Sequence, residues 1–68
     1  MLTEPTETPE MALKRAVEAA GGPTALGRQL GISGEAIVQW GQVPPRRVLE
    51  VERLTGVPKE LLRPDLYR

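Results

Sequence analysis

Residues 24–45 read TALGRQLGISGEAIVQWGQVPP. Apolar residues keep helical spacing up to Leu30, Gly31-Ile32-Ser33 interrupts them, and the same spacing then resumes. Two short helices joined by a turn of three to four residues, often with a glycine in it, make a helix-turn-helix. The details fit that geometry. Where two such helices cross, a large side chain would hold them apart, and the residue four before the turn is Gly27. The turn needs a residue that tolerates positive φ, and Gly31 supplies it. Leu26, Leu30, Ile32, Ile37 and Trp40 are placed to fill the angle between the helices. These positions, matching together, favour this reading over a plain helical hairpin.

The flanking sequence extends the same pattern. Thr8-Pro9-Glu10 opens a first helix, with Thr8 as N-cap, proline in the first position and an acid in the first turn. Leu13, Ala16, Val17 and Ala20 share one face of it, and Gly21-Gly22 stops it. Pro23 opens the second helix. Ser33 is positioned to cap the third, in which Ile37 and Trp40 share a face and Gly41 ends the run. Val43-Pro44-Pro45 reads as a stiff connector. A fourth helix is expected over 45–55, with Val48, Val51 and Leu54 as its buried stripe. Gly56 closes it, and a last helical turn is expected over 59–62. No segment alternates as a half-buried strand does. The fold class is all-α: a compact bundle of five short helices, without repeats.

Sixty-eight residues support one domain, close to the lower size limit for unaided folding. Residues 1–8, acidic and rich in proline and threonine, read as a disordered arm, leaving 9–68 as the folded domain. The chain contains neither Cys nor His. Disulfides and thiolate zinc sites are excluded, and so is the commonest general base. No cofactor or metal site is expected, and no carboxylates are spaced for catalysis, so an enzyme is the weakest class. No apolar run approaches the roughly 20 residues that span a bilayer. Without an export signal, the cytoplasm is the expected compartment.

Formal net charge is zero, but it is unevenly spread. Glu4, Glu7 and Glu10 are the only charges in the first ten residues; from Met11 onward nine Lys or Arg face six Asp or Glu, leaving +3. That permits nucleic-acid binding without demonstrating it.

Three segments, GGPTALGRQLGIS, IVQWGQVPPRRVLEVERLTG and ELLRPDLY, resemble small Cro-type phage repressors and the related YdaS group of Cro-like antitoxins. Together they cover nearly everything from 21 to 67. The Trp-Gly-x-Val-Pro-Pro turn and the Leu-Arg-Pro-Asp-Leu-Tyr ending are more specific than the helix-turn-helix spacing alone. The resemblance implies a lambda-repressor-like DNA-binding fold, a symmetric dimer on operator DNA, and repression of transcription. Some Cro relatives replace the C-terminal helices with a β-hairpin, whereas this chain looks like the all-helical branch. It departs from the family at Gly27, where alanine is usual, at a cost of roughly 0.5–1 kcal/mol in helix propensity.

With Ile37 and Trp40 turned inward, Gly34, Glu35, Val38 and Gln39 face outward on the third helix, and Gln42 extends that edge. These positions match those that reach base edges in the family. Gln39 can pair bidentately with adenine, Val38 can pack on a thymine methyl, and Glu35 can accept from cytosine. Glu35 reads equally well as a helix-stabilising acid in a first turn. Gly34 presents bare backbone for a close approach. Phosphate contacts are expected from Thr24 and the amides beside it, from Arg28 one turn on, from Ser33, and from Arg46 and Arg47, whose place at a helix start opposes the dipole. For Ser33, capping alone is the stronger reading. Lys14, Arg15, Arg53, Lys59 and Arg63 read as solvated cations or partners of Glu18, Glu50 and Asp65. Trp40 reads as core rather than a base-stacking platform.

The expected partners are a palindromic double-stranded DNA operator and a weak homodimer contact through Val57, Leu62, Leu66 and Tyr67. The alternative is an antitoxin that binds a toxin and uses DNA only to regulate itself.

Overall fold

The computed structural model describes residues 7–67. Among them are five α-helices, one 3-10 turn and no strand: α1 Pro9–Ala20, α2 Pro23–Leu30, α3 Gly34–Val38, the turn Pro45–Arg47, α4 Val48–Thr55 and α5 Lys59–Leu62. The fold is all-α, as expected. The proposed arm over 1–8 lies mostly outside the described residues.

Local chemistry explains the helix boundaries. Thr8 Oγ1 accepts from the Met11 amide at 3.1 Å, and Pro9 spends no amide in the first turn. Ser33 Oγ likewise accepts from Ala36 N at 3.1 Å, starting α3. Gly31 ends α2 at φ 79°, a left-handed conformation that a side chain would disfavour. In one respect the third helix differs from expectation. It stops at Val38, with Gln39 as its C-cap, so Trp40 stands beyond the helix and packs half-buried against the core.

α1 is the central element, touching α2, α4 and α5, while α2 packs mainly on α3. Ala12, Leu13 and Ala16 of α1 meet Leu26 and Leu30 of α2, Ile37, Val48, Val51 and Leu62 in one cluster. Val43 and Val57, from connecting segments, complete it. Leu26 and Leu62 are the largest fully buried side chains, each worth about 1.5–3 kcal/mol by apolar burial. With no cysteine in the chain, this core carries the fold.

Burial of Val57 and Leu62 corrects the expected dimer contact. Both belong to the interior, and of the four residues assigned to it only Leu66 is largely exposed. α5 is too short to persist alone. It is held by Leu62 and by Glu52, whose Oε2 accepts from the Lys59 amide at 2.9 Å. No helix among the described residues is long and apolar enough to cross a membrane.

Candidate nucleic-acid interface

The helix-turn-helix is built around two glycines. A Cβ placed on Gly27 would stand 2.5 Å from the Ile32 carbonyl oxygen and 3.0 Å from the Ser33 carbonyl carbon. α2 therefore meets the turn backbone-on-backbone, and the Ile32 amide donates to the Gly27 oxygen at 2.8 Å. A Cβ on Gly34 would lie 3.0 Å from Cα, N and Oγ1 of Thr24. What demands glycine at 34 is thus the start of α2: a side chain there would run into Thr24, while the residue itself stays part-exposed. Together these contacts seat the first turn of α3 against the start and the middle of α2.

Facing away from that seat, Glu35, Val38 and Gln39 are exposed, with Val38 at 68%. Gln42 is exposed in the connector beyond them. The described residues leave the outer side of α3 uncovered. On the flank towards α1, Val38 also forms part of an apolar groove of about 500 Å³ with Leu13, Val17, Ile37 and Trp40.

The phosphate-binding candidates divide. Thr24 and Arg28 are exposed on α2, and Arg46 is exposed at the 3-10 turn. Arg28 and Arg46 have no ion-pair partner among the described residues. Ser33 spends an acceptor lone pair on its cap. Arg47, by contrast, is already engaged within the fold. Its Nη1 donates to the Leu30 carbonyl at 3.2 Å and to Glu50 Oε1 at 3.4 Å, tying the connector's far end to the C-terminus of α2. A cation at a helix start opposes the local dipole, but here it satisfies another helix's last carbonyl.

Two features escaped the sequence reading. Val43 was legible only as part of a stiff connector, yet it is fully buried. Arg63 was legible as a partner of Asp65, and it is: Nε and Nη2 donate to the Asp65 carboxylate at 3.0 and 2.7 Å. Its third bond, from Nη1 to the Val43 carbonyl at 3.0 Å, spans twenty residues and has no sequence signal.

The family model described as bacterial toxin YdaS matches residues 13–68, from inside α1 through the whole helix-turn-helix and the C-terminal turn. The chain belongs to the YdaS family. No curated protein and no solved structure gave a significant match. The YdaS match takes in every residue of the candidate face, including Gly27 and the Trp40–Pro45 connector.

Proposed function

We propose that this YdaS family member is a sequence-specific DNA-binding regulator: a Cro-like repressor that lays α3 in the major groove of a palindromic operator. The observation that carries the reading is the uncovered outer side of α3, bearing Glu35, Val38 and Gln39, on a helix seated firmly through Gly27 and Gly34. Arg28, Arg46 and the Thr24 end of α2 flank it as phosphate contacts. One such module makes few base contacts, so a symmetric dimer over half-sites about 34–36 Å apart supplies the rest. The dimer forms mainly on DNA, and a monomer in sedimentation at saturating operator would count against it.

The test is salt-dependent binding to a selected duplex pool. Gln39→Ala relaxes preference at one position by about 1–3 kcal/mol, and Arg28→Ala weakens all sequences and lowers the salt slope by about one. Wild-type behaviour in both variants would remove α3 as the reading face.

The family's description favours a second reading, a member of a toxin–antitoxin pair that acts through protein contact and binds DNA only for autoregulation. The resemblance placed the chain on the antitoxin side, whereas the family description names a toxin. Growth arrest on expression, undiminished by Gln39→Ala and Arg28→Ala, would favour this reading.

A further inference from the structure

The connector between α3 and the 3-10 turn carries Gln42 and leads to Arg46, yet little of its own holds it in place. The last backbone bond of α3 runs from Trp40 N to the Ile37 oxygen, and the next along the chain is Arg47 N to the Pro44 oxygen. The amides of Gly41, Gln42 and Val43 have no partner among the described residues. Two attachments fix this stretch at its middle: the Val43 side chain, fully buried, and the Val43 carbonyl, which accepts from Arg63 Nη1 at 3.0 Å.

Arg63 is well prepared for that role. Its side chain is only 11% exposed, and its other edge is locked in a two-bond fork on Asp65. A guanidinium held at three donors is planar and cannot swing, unlike an ammonium on a flexible stem. The block that carries it is itself folded. The Leu66 and Tyr67 amides both donate to the Arg63 carbonyl at 3.0 Å, Lys59 Nζ lies 5.9 Å from the Tyr67 ring centre, and Leu62 beside it is fully buried.

We propose that Arg63 is a positioning residue for DNA reading: a clasp from the C-terminal turn that sets where the connector presents Gln42. This rests on the DNA-binding reading above. A displacement of the connector by an ångström would leave net charge and fold intact while misplacing Gln42 against a base edge, because hydrogen bonds to bases weaken steeply with distance and angle. Removing the clasp therefore changes which sequences are preferred, rather than how strongly DNA is held in general.

The experiment compares the full chain with Arg63→Ala, Arg63→Lys, Gln42→Ala and the charge control Arg53→Ala on a randomised duplex pool. Binding is read at temperatures where circular dichroism shows each variant folded, and acrylamide quenching of Trp40, the sole tryptophan, is read without DNA. Arg63→Ala is expected to lose about fivefold in preference at the base pairs that Gln42→Ala affects. Its salt slope matches that of Arg53→Ala, and its Trp40 quenching increases. Arg63→Lys, with charge but no fork, stays closer to Arg63→Ala than to wild type. Wild-type preferences in Arg63→Ala, an equal change in Arg53→Ala, or full rescue by lysine overturns the clasp while leaving the DNA reading standing. If Arg63→Ala does not fold, Asp65→Asn, altered at an exposed carboxylate, is expected to show about a twofold loss of the same signature. A wild-type profile there overturns the clasp. No sequence preference in wild type overturns the DNA reading and the clasp together.

Discussion

Gly27 stands so close to Ile32 that a Cβ on the former would lie 2.5 Å from the carbonyl oxygen of the latter. The atom in the way is backbone, in a turn pinned on one side by Gly31 in its left-handed conformation and on the other by the Ser33 cap. Gly27→Ala gains up to about 1 kcal/mol of helix propensity. It must also push the turn away, and overpacking of this kind costs about 1–3 kcal/mol. The net expectation is destabilisation by about 1 kcal/mol, or a drop of roughly 4–8 °C in a thermal melt. A raised melting temperature would show that the two helices separate freely.

Gly41 provides the contrast. A Cβ there meets nothing within 4 Å, and its φ lies outside the left-handed range. Gly41→Ala restricts the unfolded chain without straining the folded one, so it is expected to be neutral or to stabilise by up to about 1 kcal/mol. Denaturant titration of the two alanine variants side by side separates close approach from generic glycine entropy. Equal shifts in both would mean that the 2.5 Å approach has no energetic weight.

Local punctuation made most of this architecture legible in advance. Thr8, Pro9, Gly31, Ser33 and Gly56 act within one turn of where they stand, so each boundary they set is visible in a short window. Gly27 was equally readable, because one rule about crossing helices covers it. What stayed hidden depends on distant pairings. Arg47 looked free until Leu30, seventeen residues away, was beside it, and Arg63 looked like a simple partner of Asp65 until Val43 came within reach. Val57 and Leu62 looked available for a second subunit because apolarity alone does not say which surface a residue covers. The outer face of α3 lies between these extremes: its exposed members followed from helical periodicity, while the orientation of Gly34 towards Thr24 did not.

Adjacent arginines at the 3-10 turn should behave differently. Arg47→Ala leaves the Leu30 carbonyl without its donor and breaks the Glu50 pair, costing about 0.5–1.5 kcal/mol of stability. Because that guanidinium is already engaged, DNA binding should keep its salt slope. Arg46→Ala should leave the melt within about 0.5 kcal/mol of wild type and lower the salt slope by about one. Melts and salt titrations on both variants check the division. Reversed results would place Arg47 on the phosphate and Arg46 in the fold.

Acid should weaken the clasp in a defined direction. The hydrogen bonds from Arg63 hold the Asp65 carboxyl below its ordinary value of 3.8, outweighing the opposing effect of desolvation. A carboxylate with a depressed folded-state pKa binds protons more readily in the unfolded chain. Its stabilisation is therefore fully present above the ordinary value and disappears as pH falls through the folded one. Arg63 shifts the other way, raised above its ordinary value by its hydrogen bonds to Asp65, and keeps its charge throughout any practical range. The stability difference between wild type and Asp65→Asn should thus be constant near neutrality and close as the solution is acidified below about pH 4. Parallel denaturant midpoints at a series of pH values give the measurement. A difference that persists unchanged into strong acid would mean that Asp65 contributes through shape, not through its charge on Arg63.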